Sequence, residues 1–162
     1  MQEAFDFFSG LGAEWALFII SMLPLIELRG SIIVGAATGM LWLPAYLISV
    51  AGSMLPAPAV ILFGRKIISW FKKIPLFSPL VEKYEKKLLK KADKVVKYEL
   101  AGLLLFVAVP LPGTGVWTGS FIAALLDLRM KFALPVILLG NCIAGAIMLF
   151  LSYGTAELLK GF

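Results

Sequence analysis

The chain has 162 residues, of which 60% are apolar and 15% are charged, and it carries a net charge of +5. A water-soluble domain of this length could not bury so much apolar surface in one core, so the composition predicts a small all-α integral membrane protein. Histidine is absent and Cys142 is the only cysteine, which excludes histidine-based metal sites, Ser-His catalysis and any disulfide within one chain.

The first apolar segment, residues 15–40, is broken near its middle by Pro24, Glu27, Arg29 and Gly30. Proline and glycine make an uninterrupted helix costly, and lipid offers no hydrogen bonds to exposed backbone. A charged side chain at this depth costs at least about 2.5 kcal/mol. The segment therefore predicts a break that is buried by protein or opens into a wet cavity, which makes it a candidate functional site.

Glu27 and Arg29 can be interpreted in two ways. In the functional interpretation Glu27 carries a proton, because its proton affinity depends on the balance between burial and a nearby cation, and Arg29 holds an anion or a carboxylate. In the structural interpretation these charges form an ion pair that only holds the hairpins together. The pair could be Glu27 with Arg29, or it could include Arg129 or Asp127. The sequence leaves both interpretations open.

Residues 41–64 carry no charge and predict a full membrane span from Trp42 to Gly64. The connection that follows, residues 65–99, contains eleven of the fifteen basic residues. The positive-inside rule makes this connection cytoplasmic. Its apolar residues recur at helical spacing from Leu80 to Val95, so we expect an amphipathic helix that lies on the inner leaflet or on the protein's own cytoplasmic face, where it could bind anionic lipid.

The second half, residues 100–154, contains a second broken stretch, which offers backbone groups instead of charge. Pro110 and Pro112 prevent a regular helix, while Gly113 and Gly115 allow conformations that expose amides and carbonyls. Helix ends at such a break can hold a phosphate or a carboxylate. Further candidates for substrate contact are the hydroxyls of Thr114 and Thr118 and the indole of Trp117. The alternative is that the small residues only allow close helix packing.

The last apolar segment predicts a membrane span over residues 132–153. Asp127, Arg129 and Lys131 precede this span and are expected at the cytoplasmic mouth, where interfacial snorkelling is the simpler explanation. Asn141 lies within the span and would either hydrogen-bond across helices or contact a substrate.

The two halves resemble one unit used twice. Pro24-Leu25 corresponds to Pro110-Leu111, Gly30-Ser31 to Gly119-Ser120, and Ala51-Gly52-Ser53 to Leu139-Gly140-Asn141.

Two topologies fit these lengths. In one, each half contributes two full spans, and Arg129 and Lys131 lie outside. In the other, each broken segment is a re-entrant hairpin followed by one full span, so the positive charges lie inside and the halves are inverted. We favour the second topology, an inverted repeat over about residues 15–64 and 100–154 within a single membrane domain. Its two hairpin tips would meet near the midplane of the membrane.

The pattern Pro24-x-x-Glu27-x-Arg29-Gly30, followed by Val109-Pro110-Leu111-Pro112-Gly113-Thr114-Gly115-Val116-Trp117-Thr118-Gly119, resembles the small multidrug export membrane proteins of prokaryotes over nearly the whole chain. That family is in turn similar to the DedA membrane proteins, whose fold has two opposed re-entrant hairpins, each followed by a transmembrane helix. The resemblance implies proton-dependent activity and movement of small compounds or of lipids such as undecaprenyl phosphate. It assigns function to Glu27 and Arg29 in the first hairpin and to the proline–glycine–tryptophan run in the second.

These features predict a transporter of the prokaryotic cytoplasmic membrane that has no cofactor, metal or catalytic residue. The expected partners are the lipid bilayer, a small hydrophobic or lipid substrate and a second copy of the chain, because two spans cannot readily enclose a pathway. Nucleic acid is not an expected partner, since apolar segments flank the basic connection. The alternative is a non-transporting membrane scaffold or assembly subunit in which the polar hairpin residues are structural.

Overall fold

The computed structural model describes residues 12–72, 100–111, 113–126 and 128–160. Every regular element in these ranges is an α-helix, in agreement with the predicted all-α class. In chain order the helices are α1 (Ala13–Met22), α2 (Glu27–Ala37), α3 (Trp42–Met54), α4 (Ala57–Lys72), α5 (Leu100–Ala108), α6 (Val116–Leu125) and α7 (Met130–Lys160). The amphipathic helix predicted within the basic connection lies outside the described residues, as do Pro112 and Asp127.

Two stretches of helix are long and apolar enough to cross a membrane, Trp42–Gly64 and Met130–Thr155. They have 23 and 26 residues, which exceeds the roughly 20 that a bilayer requires. Leu55 keeps helical dihedral angles (φ −58°, ψ −43°), so the first stretch continues from α3 into α4. Both stretches coincide with the spans predicted from the sequence.

The helices α1, α2 and α6 are too short to cross a membrane, since they contain 10, 11 and 10 residues. At a rise of about 1.5 Å per residue each of these three is roughly 15 Å long, which is half the thickness of the hydrocarbon layer. The described part of α5 has 9 residues and begins at the first described residue after residue 72. Residues 23–26 join α1 to α2, and residues 109–115 join α5 to α6. Each short pair therefore occupies one of the two broken segments.

Proline ends the first helix of each short pair. Leu23 adopts extended dihedral angles (φ −72°, ψ 133°) directly before Pro24, because the proline ring disfavours the helical conformation in the preceding residue. The helix α5 ends at Ala108, shortly before Pro110. The helix breaks thus arise from local covalent geometry.

The chain divides into two compact units. Unit 1 comprises residues 1–55 and 141–162, and unit 2 comprises residues 56–140. Each unit contains one short pair, the N-terminal part of the long helix that follows that pair, and the C-terminal part of the other long helix.

In unit 1 the helices α1, α2 and α3 pack against one another. Gly52 of α3 allows the close approach of α1, because a methyl group at this position would overlap Ser21 Oγ and lie 2.6 Å from the Phe18 carbonyl oxygen. Tyr153 of α7 donates a hydrogen bond to the Met40 carbonyl oxygen at 2.9 Å. The buried apolar residues at the centre of this unit are Leu28, Ile32, Val50 and Ala144.

In unit 2 the helix α6 packs against α4 and α5. Gly140 of α7 allows the close approach of α5, because a methyl group there would lie 2.9 Å from Val107 Cβ and 3.0 Å from the Leu104 carbonyl oxygen. Gly119 of α6 faces the same valine, and a methyl group on it would lie 2.6 Å from Val107 Cγ2. Both units therefore depend on glycine at their closest helix contacts.

We predict that Gly52→Ala lowers the free energy of unfolding by about 1–3 kcal/mol, because the backbone of α1 would have to move away from the added methyl group. Gly154→Ala is the matched control, since a methyl group there meets open space and alanine favours helix by about 1 kcal/mol over glycine. Unfolding of both variants in detergent micelles, followed by circular dichroism, measures the difference. A Gly52→Ala variant as stable as Gly154→Ala would contradict the packing described for unit 1.

Candidate functional site

The turn between α1 and α2 is closed by its own backbone. The Leu23 carbonyl oxygen accepts hydrogen bonds from the amides of Ile26 (3.3 Å) and Glu27 (2.9 Å), and the Ile26 carbonyl oxygen accepts one from Gly30 (3.0 Å). The side chain at the tip points outward, and Leu25 is 97% exposed. The turn therefore satisfies its backbone internally while it presents an apolar tip.

Glu27 is the first residue of α2, and its conformation is unusual. It is buried, and its backbone has a left-handed φ of 50°. No other non-glycine residue among those described has a positive φ. A residue with a Cβ atom loses about 1–2 kcal/mol in this conformation, and glycine does not. A carboxylate is thus held at a position that backbone geometry favours for glycine.

Glu27 forms an ion pair with Arg29, one of the partners that the sequence allowed. Arg29 Nη1 donates to Glu27 Oε2 at 2.8 Å, and the side chains of Arg29 and Glu27 are 17% and 7% exposed. Both charges are largely withdrawn from water, and breaking such a buried pair by removing one partner costs roughly 3–5 kcal/mol. The two charged groups of the first broken segment are therefore in direct contact with each other in this arrangement.

Ser31 fixes α2 one helical turn after Glu27. Its hydroxyl donates to the Leu17 carbonyl oxygen of α1 at 3.0 Å and shares a hydrogen bond with Ser49 Oγ of α3 at 2.7 Å. Residues four apart lie on the same side of a helix, so these bonds hold the helix face that carries Glu27. The sequence analysis did not single out Ser31 or Ser49 as site residues. The feature of the sequence that could have identified them is a small hydroxyl residue within an otherwise apolar stretch of helix.

The loop between α5 and α6 uses two glycines in left-handed conformations. Gly113 has a φ of 77° and Gly115 a φ of 133°, both disfavoured for residues with a Cβ atom. Pro110 is partly buried and Pro112 lies outside the described residues. The predicted irregular backbone of this stretch is therefore present at the positions where the glycines stand.

Thr114 organises this loop. Its hydroxyl lies 2.7 Å from the Val109 carbonyl oxygen and 2.8 Å from that of Leu111, and it accepts a hydrogen bond from the Leu111 amide at 3.2 Å. These hydrogen bonds between the threonine hydroxyl and the backbone hold the turn together, as serine and threonine hydroxyls do in many turns. A contact between Thr114 and a substrate stays a prediction.

The first turn of α6 carries the remaining candidates of the second broken stretch. Trp117 and Thr118 are partly buried, and the Gly115 carbonyl oxygen accepts a hydrogen bond from the Gly119 amide at 2.8 Å. The loop and the N-terminus of α6 thus bring residues 110, 111 and 113–119 together within unit 2. Glu27 and Arg29 are placed within unit 1.

Asn141 is buried in unit 1, where Nδ2 donates to Ser53 Oγ at 2.8 Å. Of the two roles expected from the sequence, the structure contains the hydrogen bond across helices, and substrate contact stays a prediction. Arg129 is exposed directly before α7, and its carbonyl oxygen accepts from the amides of Phe132 and Ala133. Lys131 Nζ lies 4.9 Å from the centre of the Phe132 ring, an arrangement that fits an interfacial position. Asp127 lies outside the described residues.

The strain at Glu27 can be measured once the charges are removed. We predict that the double variant E27G/R29Q is more stable than E27Q/R29Q by about 1–2 kcal/mol, because glycine adopts the left-handed conformation without a Cβ penalty. Both variants lack both charges, so the comparison does not include an uncompensated ion. Chemical unfolding in micelles gives the difference, and equal stability would show that Glu27 is not strained.

A comparison of the sequence with protein-family models identifies the family of the chain. A family model described as "Putative small multi-drug export protein" matches residues 27–147, which is more than half of the chain. The match begins at Glu27 and includes the loop between α5 and α6. No curated protein and no solved structure shows significant similarity. The chain therefore belongs to this family of small multidrug export proteins, which are membrane transporters by name.

Proposed function

We propose that the protein is a proton-coupled transporter that exports small hydrophobic or amphipathic compounds or moves lipid between leaflets. The observation that carries this proposal is Glu27, which is buried, strained and ion-paired at a helix break within an apolar segment. An ionisable residue in such a place is expensive, and strain at a single residue points to function. The family supports the general class of the activity.

The short pairs α1–α2 and α5–α6 are proposed to be re-entrant hairpins. The helices α1, α2 and α6 are each about half as long as the hydrocarbon layer is thick. The connecting turns carry exposed leucines, since Leu25 is 97% and Leu111 57% exposed. Apolar tips of this kind are favourable within lipid and unfavourable in water. Both observations support hairpins that enter the membrane and return.

An inverted repeat is supported by matching contacts in the two units. Gly52 corresponds to Gly140 in the repeat. Phe18 approaches Gly52 and Leu104 approaches Gly140, and the separation in sequence between Phe18 and Leu104 equals that between Pro24 and Pro110. In addition, Asn141 hydrogen-bonds to Ser53, its own counterpart in the repeat. This bond lies within unit 1 and joins two residues that the repeat places in equivalent positions.

In the proposed mechanism Glu27 alternates between an ionised and a protonated state. The ionised state is paired with Arg29, as described. Protonation removes the charge on Glu27 and weakens its pair with Arg29, so that an anionic group of the substrate can compete for the guanidinium, which couples proton binding to substrate binding. The second hairpin would contribute the backbone groups of residues 113–115, together with Trp117 and Thr118. A common midplane site of the two hairpins stays a prediction.

The remaining expectations about the cell are part of the same proposal. The basic connection is proposed to be cytoplasmic in a prokaryotic cell membrane and to contact anionic lipid, because lysine-rich juxtamembrane segments are attracted to that leaflet. A homo-oligomer is proposed because the chain has only two candidate spans among its described residues. The relationship to the DedA proteins is proposed on the same residues that suggested it in the sequence.

The role of the ion pair can be separated from its effect on stability by a double substitution. We predict that Glu27→Gln loses stability because the Arg29 charge is left buried, and that E27Q/R29Q recovers stability but not transport. Transport is measured in proteoliposomes with an imposed pH gradient, by movement of ethidium and by flip of a fluorescent phospholipid.

The matched control for this experiment is Gly154→Ala, which is far from the ion pair in sequence and meets open space. It should transport like the unmodified protein. A stable E27Q/R29Q variant that moves either probe at the normal rate would leave the ion pair with a structural role only. No movement of either probe by the unmodified protein would favour the alternative of a non-transporting scaffold or assembly subunit.

The re-entrant topology makes a separate prediction about sidedness. In a Cys142→Ala background, single cysteines at positions 4 and 42 should be labelled from the same side of the membrane, and a cysteine at position 87 from the opposite side, because a re-entrant hairpin returns the chain to its starting face. Labelling uses a membrane-impermeant maleimide on sealed vesicles of known orientation. Positions 4 and 42 on opposite sides would show that the first hairpin crosses the membrane.

A further inference from the structure

The first hairpin, α1–α2, is held by two hydroxyl hydrogen bonds between helices. Ser31 Oγ of α2 bonds to the Leu17 carbonyl oxygen and to Ser49 Oγ, which ties α2 to α1 and to α3. Ser21 Oγ bonds to the Phe18 carbonyl oxygen within α1, beside Gly52. All three serines are fully buried. In lipid, where helices gain nothing from hydrophobic burial against each other, such hydrogen bonds are a principal source of helix association.

Apolar residues stand at the corresponding positions of the second hairpin, α5–α6. A methyl group on Gly119 would lie 3.7 Å from Leu103 Cδ1 and 3.9 Å from Ile137 Cγ1. In the repeat, Leu103 and Ile137 correspond to Leu17 and Ser49, the two residues that Ser31 contacts. Gly119 therefore occupies the place of Ser31, whereas the sequence correspondence had paired Ser31 with the next residue, Ser120. Val107 likewise occupies the place of Ser21. At these positions α5–α6 is held by van der Waals contact, because the side chains carry no hydrogen-bonding group.

Ser120 of α6 is a second, independent difference. It is fully buried, and within the part of the chain that the structure describes its Oγ has no hydrogen-bond partner. A buried hydroxyl without a partner costs its desolvation energy, so it destabilises the arrangement in which it is found. Any movement of α6 that brings water or an acceptor to Ser120 is therefore favoured by this residue.

We propose that α5–α6 is the conformationally mobile hairpin of this protein and that α1–α2 is fixed to its long helices. The fixed hairpin carries the Glu27–Arg29 pair, and the mobile one carries the glycine-rich loop. The two left-handed glycines of that loop can absorb large changes in backbone angle, which suits a moving element. As a consequence that rests on the proposed function, α5–α6 would be the hairpin that moves during the transport cycle.

The proposal is tested by hydrogen–deuterium exchange of the full chain in lipid nanodiscs, read by mass spectrometry on peptides that cover α2 and α6. In the unmodified protein the amides of α6 should exchange faster than those of α2 by about fivefold to thirtyfold, the factor that corresponds to a few lost hydrogen bonds. Exchange of α2 as fast as that of α6 overturns the proposal without any variant.

Two substitutions of the same kind provide a matched pair. Ser31→Ala removes two hydrogen bonds and should accelerate exchange of α2 by about fivefold or more. Ser120→Ala removes an unsatisfied hydroxyl and should leave exchange of α6 unchanged or slower. If Ser31→Ala does not fold, Ser49→Ala, which removes only one of the two bonds, replaces it.

Accelerated exchange of α6 in Ser120→Ala would overturn the proposal, because it would show that water or a ligand satisfies Ser120 in the membrane. The exchange measurement detects the difference between the hairpins whether or not the protein transports ethidium or lipid. Failure of this inference is therefore distinguishable from failure of the proposed function.

Discussion

The inability of lipid to form hydrogen bonds is the constraint on which the rest of this structure depends. A helix that stops within an apolar segment must satisfy its backbone inside the protein. At the first break the Leu23 carbonyl oxygen accepts from the amides of Ile26 and Glu27. At the second break the Thr114 hydroxyl bonds to the backbone of Val109 and Leu111. Both breaks are thus closed local structures, and this allows the chain to keep short helices in two apolar segments.

The surrounding lipid also explains why small residues mediate the closest helix contacts. Helices in lipid associate through close packing and hydrogen bonds, because burying apolar surface against protein gains little over contact with lipid tails. Gly52 and Gly140 serve this purpose in units 1 and 2, and serines add hydrogen bonds in unit 1. Unit 2 relies on Gly119 and Val107 at the equivalent contacts. Two halves of similar design can therefore differ in rigidity.

The ion pair between Glu27 and Arg29 is not explained by helix packing. Glycine would serve the backbone better at position 27, as glycine does at position 115 in the second loop. The chain instead holds a carboxylate there, and pairs it with Arg29. Neither the closure of the turn nor the packing of α2 requires a charge. A function that uses the charge accounts for both the strain and the desolvation, which is why the proposed mechanism centres on Glu27.

The sequence by itself determined the membrane class, the two spans, the positions of the helix breaks and the candidate residues Glu27 and Arg29. Each of these follows from local properties: the length of uncharged segments, the geometry of proline and glycine, and the cost of charge in lipid. Only the tertiary structure decided that Glu27 pairs with Arg29 and is strained, that Thr114 closes its own loop, and that Ser31 is hydrogen-bonded while the Ser120 hydroxyl has no partner among the described residues. These outcomes depend on which helix faces approach each other. A shift of one residue in register places Gly119 of the second hairpin, in place of Ser120, at the contact that Ser31 makes in the first.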